Sequence, residues 1–374
     1  MSGGVDSSVA ALLLLRQGVE VVGLSMHLRD HDPDGSGSAL GRCCTADDLS
    51  DARRAADALG IPHYVVNLVE RFASSVVRPF VESYLAGETP IPCLACNTDL
   101  KFSALLERAA ALGCEAVATG HYARVERDEA TGELLLLRGS DAAKDQSYFL
   151  HGLSQSQLAR ALFPLGELPK TAVREMARGA GLSSWDKPDS QEVCFVHGGE
   201  GPGGFVRREA AALGISLPAI PAALPGRVVD REGRVLGRHD GAFQFTVGQR
   251  RGLGVASGKP LYVIEVATDS GDVVVGPEEE LLSCEVPLRE LRFVSGRPPV
   301  EGERVLARIR SRHQEQPARF FPASGGLGCL LFDEPVRAPA PGQSAVLFDA
   351  GRPERVLGGG VIRRTTRPGR ASGA

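Results

Sequence analysis

The chain has 374 residues, of which 43% are apolar and 24% are charged, and its formal net charge at pH 7 is −4. This length predicts two or three domains, and the composition is typical of globular proteins. The sequence has no apolar run of 18 residues, no signal-peptide pattern and no strong basic excess, so we expect a cytoplasmic protein that neither spans a membrane nor binds nucleic acid through overall charge.

Residues 1–125 alternate between helical and strand patterns. A helix is predicted from Asp6 to Gln17 with Gly18 as its stop, and an amphipathic helix from Thr45 to Gly60. Further predictions are strands in "VEVVGLSMHL" and "HYVVNL", a helix in "LKFSALLERAAALG", and a strand that runs into a Gly-His turn in "CEAVATGHYARV". Strands that alternate with helices indicate a doubly wound, parallel α/β sheet.

The pattern changes after residue 195. "SQSQLARALFPLGELPKTAVREMARGAGL" predicts two short helices that are broken at Pro164 and Gly166, and "GGEGPGG" (198–204) predicts a linker. The remainder reads as short alternating strands, followed by a basic tail at 363–374. In "RVLARIRSRHQ", alternation predicts that Arg308, Arg310 and Arg312 share one strand face suited to RNA phosphates.

The stretch "SGGVDSS" (2–8) leads directly into the first predicted helix. Glycines let backbone N–H groups converge on an anion, the start of a helix adds its positive dipole end, and the serine hydroxyls add donors. Asp6 is placed to cap the helix or to orient a metal or substrate group. The stretch lacks the lysine of the G-x-x-x-x-G-K-[ST] loop, and a glycine-rich N-terminus with a simple helix cap is the alternative.

Eight cysteines in a chain of this class indicate metal, redox or catalytic use rather than a disulfide scaffold. Cys93-x-x-Cys96 in a proline-rich turn and Cys194 before the glycine-rich stretch are the candidates. The adjacent Cys43 and Cys44 are possible zinc ligands, and the other three are predicted to be inert: Cys114, Cys284 and Cys329.

Further motifs occur along nearly the whole chain. They include "TPIPCLACNTDLKF", "ATGHYARV", "KDQSYFL", "LFPLGELPK", "KPDSQEVCFV", "GQRRGLG" and "PGQSAV". With "SGGVDSS", their order and spacing resemble the bacterial tRNA-specific 2-thiouridylase (MnmA/TrmU) family of PP-loop ATP pyrophosphatases. The resemblance implies a Rossmann-like PP-loop (HUP) catalytic domain at 1–200, a small β-rich central domain at 201–280, and a tRNA-contacting β-barrel at 281–374.

The resemblance also implies functional residues. Cys96 matches the family's nucleophile and Cys194 its persulfide carrier, and the two would form a transient disulfide. The implied ATP-binding residues are Ser2, Gly3, Gly4, Val5, Asp6, Ser7, Met26 and Gly120. The implied tRNA-binding residues are Ile91, Pro92, Cys93, His121, Lys144, Asp145, Gln146, Arg310, Ser311 and Gln343.

The implied reaction is ATP-dependent 2-thiolation of the wobble uridine (U34) of tRNA, through adenylation of the C2 carbonyl. Mg²⁺ is expected with ATP, no bound zinc is expected, and the implied substrates are the tRNAs for Lys, Glu and Gln. A cysteine desulfurase or a sulfur-relay protein would reload Cys194, and the enzyme is expected to be a monomer. The alternatives are a PP-loop ligase resembling argininosuccinate synthase, and a zinc-stabilised RNA-binding protein.

Three features depart from the family pattern. Ile91-Pro92-Cys93 stands where some members have Asn-Pro-Asp, so base contact there would use the backbone or neighbouring residues, and Cys93 is a spare thiol that would compete for Cys194. Ser311 stands where many members have an aromatic residue. A phosphate loop of this kind is expected to follow a hydrophobic central strand, yet only Met1 precedes Ser2. We therefore predict that the true start lies upstream or that the chain is truncated, and that this form is poorly stable and weakly active.

Overall fold

The computed structural model describes residues 1–29, 46–189, 193–196 and 199–364. Cys43, Cys44 and most of the predicted basic tail lie outside the described residues. The α-helices are α1 Val5–Arg16, α2 Ala46–Leu59, α3 Val69–Phe72, α4 Arg78–Leu85, α5 Pro92–Ala95, α6 Leu105–Ala111, α7 Gln155–Leu158, α8 Lys170–Gly179 and α9 Gly201–Ala212. Two π-helical segments, Ala73–Val77 and Cys96–Ala104, join α3 to α4 and α5 to α6.

The strands fall into an amino-terminal set and a larger carboxy-terminal set. The first set is β1 Gly23–His27, β2 His63–Asn67, β3 Val117–Ala118, β4 Ala123–Arg127, β5 Leu134–Arg138 and β6 Ala161–Leu162. The second set is β7 Gly226–Val229, β8 Val235–His239, β9 Tyr262–Ala267, β10 Asp272–Gly276, β11 Leu282–Phe293, β12 Glu303–Arg308, β13 Gln316–Ala323, β14 Leu327–Arg337, β15 Ser344–Asp349 and β16 Arg355–Ile362.

The amino-terminal region is the predicted α/β unit with parallel strands. Within the described residues these strands form two separate pairs, β1 with β2 and β3 with β6. Met1 lies alongside β1, where its carbonyl oxygen accepts a hydrogen bond of 2.6 Å from the Ser25 hydroxyl. The central strand that the sequence predicts upstream of Met1 stays a prediction.

The first helices match their sequence patterns closely. Helix α1 begins one residue before the predicted start and ends before Gly18, whose φ of +78° provides the left-handed turn expected there. The strand predicted in 114–125 is the short β3, and the predicted Gly-His turn lies at 119–122, after which the chain continues as β4. The predicted helix at 100–113 starts earlier, as a π-helical segment that begins at Cys96.

The carboxy-terminal region is a closed six-stranded barrel. Its strands follow the order β11-β14-β13-β12-β15-β16, and pairing of β16 with β11 closes it. The hairpin β4–β5 of the amino-terminal region extends this sheet, because β5 pairs with β16 through Arg355 opposite Leu137 and Val356 opposite Leu136. The amino-terminal region and the barrel therefore share one sheet.

The central region is a four-stranded sheet in the order β8-β7-β10-β9. Its core is aliphatic with one aromatic ring, and includes Val228, Phe245, Val263, Val273 and Val275. The predicted linker at 198–204 is wrong from residue 201 onward, because α9 begins there with Pro202 in its first turn. Burial of Phe205 and Val206 against α4 outweighs the low helix propensity of the glycines.

Within the parts of the chain that the structure describes, each helix is too short or too polar to cross a lipid bilayer.

Candidate functional site

The glycine-rich stretch forms a tight loop over the start of α1. Gly3 has a φ of +71°, and a Cβ atom there would collide with the backbone carbonyl of Asp48 at the start of α2. The Ser7 hydroxyl accepts a hydrogen bond of 3.1 Å from the Ser2 N–H and lies 3.2 Å from the Ser2 hydroxyl. The loop is thereby folded back on a twelve-residue helix, and its exposed Ser2 stands at the positive end of the helix dipole.

Asp6 does not cap the helix, which corrects one of the two roles predicted for it. Its carboxylate accepts hydrogen bonds from the Lys170 ammonium at 2.7 and 2.8 Å and from the Tyr122 hydroxyl at 2.9 Å. Burial and the Asp6 carboxylate raise the pKa of Tyr122 above its usual value, so the phenol stays protonated and donates. The carboxylate is therefore committed to protein partners.

Gly120 lies against the phosphate loop. A Cβ atom there would lie 2.7 Å from the carbonyl carbon of Asp6 and 2.8 Å from the backbone nitrogen of Ser7. Met26 is the last residue but one of β1 and packs against two apolar clusters. Gly120 follows β3, so both residues lie near the carboxyl ends of parallel strands, where open α/β sheets bind ligands.

The two predicted catalytic thiols pack against one apolar cluster. Cys96 begins a π-helical segment and Cys194 precedes Phe195, and both are reduced and half-buried against that cluster. Phe195 fixes the second segment, because its ring centroid lies 5.1 Å from that of Phe80 and 5.0 Å from that of Phe205. Met26 packs against the same cluster, so this cluster links the two thiols to the carboxyl end of β1.

The segment Ile91-Pro92-Cys93 leads into Cys96 as the first turn of α5. Ile91 is half-buried with extended backbone at φ −111° and ψ 92°, Pro92 is buried, and Cys93 is exposed. The three residues thus present one exposed thiol and backbone groups one helical turn before Cys96.

The predicted RNA-contact loop at 144–146 is packed on Tyr122. Gln146 exchanges hydrogen bonds with the Tyr122 backbone, at 3.1 Å to the side-chain oxygen and 2.9 Å from its own N–H. Asp145 faces inward, with only 4% of its side chain exposed, and accepts from two backbone N–H groups of its own loop. Lys144 points outward to Asp189, with Nζ 2.7 Å from Oδ2.

His121 is buried rather than displayed on the surface. Its Nδ1 lies 2.8 Å from the Thr119 hydroxyl, and its ring centroid lies 6.3 Å from that of Phe102 and 6.1 Å from that of Phe163. Burial, together with the charge of Lys101, holds the pKa of His121 well below its usual value, so the ring is neutral at pH 7.

The predicted strand face of three arginines is wrong beyond Arg308, where β12 ends and a turn begins. Arg310 is half-buried in that turn and donates through Nη2 to the carbonyl oxygens of Ala338 at 2.8 Å and Val247 at 3.3 Å. Ser311 is exposed at the tip of the turn. The turn forms because the chain reverses into β13, which pairs antiparallel with β12.

Gln343 also joins regions of the chain. Its side-chain amide donates to the Thr89 carbonyl oxygen at 2.7 Å, the Thr89 N–H donates to Pro341 at 2.8 Å, and the Thr89 hydroxyl lies 3.0 Å from that of Thr246. Thr89 therefore connects the amino-terminal, central and barrel regions immediately before the segment that carries Cys96.

Sequence reasoning missed the cations that surround the phosphate loop. Lys170 contacts Asp6, and Lys187 donates to Asp48 at 2.6 Å, to Asp51 at 2.8 Å and to the Gly3 carbonyl at 3.4 Å. Both lysines lie in stretches noted for their family resemblance, "LFPLGELPK" and "KPDSQEVCFV". Spacing alone gave no signal, because these residues are more than 160 positions from the loop in sequence.

No group of three or more His, Cys, Asp or Glu side chains that would hold a metal ion occurs among the described residues. Asp6, the carboxylate of the phosphate loop, is already neutralised by Lys170. The described side chains at the loop thus do not fit a cation held by protein carboxylates alone.

Three family models match consecutive parts of the chain. They are described as a tRNA methyl transferase HUP domain at residues 1–198, a tRNA methyl transferase PRC-barrel domain at 218–277, and an aminomethyltransferase beta-barrel domain at 283–362. The chain is 48% identical over 369 residues to the tRNA-specific 2-thiouridylase MnmA of Solibacter usitatus and 46% identical over 367 residues to that of Koribacter versatilis, with 97% of each chain covered. It is 45% identical over 373 residues to that of Caulobacter vibrioides, which covers 98% of this chain and 94% of the relative.

Proposed function

The chain belongs to the tRNA-specific 2-thiouridylase family of tRNA-modifying sulfurtransferases, and on this premise we propose that it thiolates C2 of the wobble uridine, U34, in an ATP-dependent reaction. The observation that carries the proposal is the shared cluster on which Cys96, Cys194 and Met26 pack. Met26 follows Ser25 on β1, and the Ser25 hydroxyl donates to the carbonyl oxygen of Met1, immediately before the loop of residues 2–7. The family descriptions also mention methyl transfer, but a phosphate loop and two thiols on one cluster favour sulfur transfer.

In the first step, the C2 oxygen of uridine attacks the α-phosphorus of ATP, and pyrophosphate leaves. The proposed ATP contacts are Ser2, Gly3, Gly4, Val5, Asp6, Ser7, Met26 and Gly120. Backbone N–H groups and hydroxyls of the loop would stabilise the phosphates, and Mg²⁺ would arrive bound to them, since the loop carboxylate is engaged by Lys170.

In the second step, the terminal sulfur of a Cys194 persulfide attacks C2, and AMP leaves with the original oxygen. The Cys96 thiolate then attacks the Cys194 sulfur, which breaks the S–S bond to the substrate sulfur and forms a Cys96–Cys194 disulfide. The products are 2-thiouridine and an oxidised enzyme, which a thiol reductant returns to the dithiol state. A cysteine desulfurase or sulfur-relay protein would reload Cys194.

Uridine in an anticodon loop must leave its stack to reach this site. The domain divisions at 1–200, 201–280 and 281–374 remain our proposal, in which the two β-rich regions hold the tRNA. The proposed contacts near the base are Ile91, Pro92, Cys93, His121 and Gln146, and those farther away are Lys144, Asp145, Arg310, Ser311 and Gln343. Since His121 and Asp145 are buried, we propose that they act by shaping the loops around them. We also propose a cytoplasmic monomer that modifies the tRNAs for Lys, Glu and Gln.

The test uses purified protein, ATP, a persulfide donor and unmodified tRNA, with 2-thiouridine at position 34 measured by mass spectrometry. Thiolation is expected with the unmodified chain and is expected to be lost in Cys194→Ser and Cys96→Ser. Cys329→Ser is the matched control, because Cys329 lies in the barrel, on β14. The proposal fails if Cys194→Ser thiolates like the unmodified chain.

A further inference from the structure

Four charged side chains form a continuous row from the phosphate loop to the loop at 144–146. The Lys170 ammonium lies 2.7 Å from Asp6 Oδ1 and 2.9 Å from Asp189 Oδ1. The other oxygen of Asp189, Oδ2, lies 2.7 Å from the Lys144 ammonium. One carboxylate therefore holds two lysines, one at each of two proposed binding sites.

Helix α8 holds Lys170 and Asp189 of this row in place. Lys170 begins α8, has only 10% of its side chain exposed and lies over the Tyr122 ring at 5.7 Å. One turn later, Arg174 contacts Asp189 at 3.3 Å and donates to the backbone carbonyls of Trp185 and Lys187. The start of α8 thus anchors residues 185–189, and Asp189 arrives at a set position between the two lysines.

We propose that Asp189 is a positioning residue that orients Lys170 towards the bound nucleotide and Lys144 towards the RNA, so that one carboxylate supports both sites. The inference deepens the proposed function and rests on it. A third carboxylate, that of Asp141, accepts a hydrogen bond of 3.0 Å from the Lys170 N–H, so three cations face three carboxylates in this cluster.

An asparagine at position 189 would keep the size of the side chain but not its function. Its single oxygen accepts from one lysine, its NH₂ group faces the other, and the negative charge that restrains both ammonium groups is lost. A glutamate restores the charge and both acceptors. Asp186 provides a matched control, because it lies in the same segment and is exposed.

The binding test compares Asp189→Asn with Asp186→Asn in the full chain. Affinity for a non-hydrolysable ATP analogue and for a tRNA transcript is measured separately. We expect Asp189→Asn to weaken both by about tenfold, Asp186→Asn to weaken neither, and Asp189→Glu to restore part of each. Equal affinities of Asp189→Asn and Asp186→Asn would overturn the inference. It would also be overturned if Asp189→Asn lost affinity for both ligands in step with a lowered melting temperature and Asp189→Glu restored neither affinity.

A double-mutant cycle separates the effect of the Asp189–Lys144 contact from that of the Asp189–Lys170 contact. When Lys144→Met is already present, Asp189→Asn is expected to cost no further RNA affinity but still to weaken the ATP analogue about tenfold. Additive losses of RNA affinity would contradict the proposed link through Lys144.

A third test needs no ligand and measures the acetylation rate of individual lysines by peptide mass spectrometry. Lys144 is expected to react more slowly than the exposed Lys259, and Asp189→Asn is expected to raise the Lys144 rate several-fold while Asp186→Asn does not. An unchanged Lys144 rate would sink the inference and leave the thiolation proposal standing. Absence of thiolation with an intact acetylation pattern would sink the thiolation proposal alone.

Discussion

Glu315 joins the barrel to the amino-terminal region through two arginines, and its replacement by glutamine tests how strongly the two regions are linked. Its carboxylate accepts hydrogen bonds from Arg138 on β5 at 2.8 Å and from Arg308 on β12 at 3.0 Å. Both arginines are largely buried, and the Arg138 guanidinium stacks on the Phe348 ring at 3.9 Å. Glu315→Gln would leave the buried Arg138 without its carboxylate partner and would leave Arg308 with Asp145 alone, at 3.8 Å.

The size of the effect follows from the pKa of Glu315. Burial alone would raise this pKa, but the hydrogen bonds from Arg138 and Arg308 outweigh burial and lower it to about 2, against an ordinary value of 4.5. That difference corresponds to about 3 kcal/mol of stability at neutral pH. Because the folded-state pKa is the lower one, the contribution is fully present above pH 4.5 and is lost as the pH falls towards 2.

The assay is urea unfolding followed by circular dichroism, with Glu334→Gln on the exposed face of β14 as the control. At pH 7 we expect Glu315→Gln to reduce the free energy of unfolding by about 3 kcal/mol relative to the control. At pH 4 the gap is expected to narrow by about 0.8 kcal/mol. A gap below about 0.5 kcal/mol at pH 7, within the ordinary range for surface substitutions, would refute the reasoning, and so would a gap that widens at pH 4.

Three further substitutions or treatments test other parts of the molecule. Gly120→Ala is expected to weaken ATP-analogue binding at least tenfold in a calorimetric titration, because its Cβ would displace the backbone of Asp6. Cys329 is expected to be alkylated slowly at pH 8, as measured by peptide mass spectrometry, because burial and the neighbouring Glu285 raise the pKa of its thiol to about 11. Arg310→Met is expected to lower the free energy of unfolding by about 1–3 kcal/mol in urea titrations, because two backbone carbonyls lose their donor.

Each of these expectations has its own control. Gly179→Ala adds a methyl group to the end of α8, where no atom lies within 4 Å of the new Cβ, and should bind the analogue normally. Cys93 is exposed and should be alkylated faster than Cys329, so equal rates would contradict the assignment. Arg250→Met removes an exposed arginine and should leave stability unchanged, so a loss equal to that of Arg310→Met would show that the carbonyl contacts are not responsible.

Local sequence patterns predict the helices whose ends are marked by residues such as a terminal glycine. Helix α1 with Gly18 and helix α2 before Gly60 were placed within one or two residues. Helix α9 was read as a linker because its first turn contains three glycines, and the burial of Phe205 that stabilises it depends on distant helices. The hairpin β4–β5 reads as a local pair, and nothing in its sequence indicates that it joins the barrel.

The same distinction between local patterns and distant contacts applies to the residues of the candidate site. Loop residues with a motif, such as Gly3 and Gly120, were found because close backbone approach requires glycine there. Lys170 and Asp189 were missed because their partner is far away in the chain and single charged residues look like surface residues. Arg310 was placed on a strand because alternation continues past Arg308, whereas the chain turns as soon as β12 has no further partner residues.

The pairing of β5 with β16 fixes the position of the barrel relative to the amino-terminal region. Under the proposed function, an RNA bound to the barrel is not brought to the loop of residues 2–7 by a movement of the barrel, because β16 is hydrogen-bonded to the hairpin β4–β5 of the amino-terminal region. On that proposal, the protein sets the distance from the bound stem to the loop, and the RNA has to deform. We therefore expect the protein to select a nucleotide by its distance from the RNA stem that the barrel binds. A base one position away from the preferred nucleotide is expected not to reach the site.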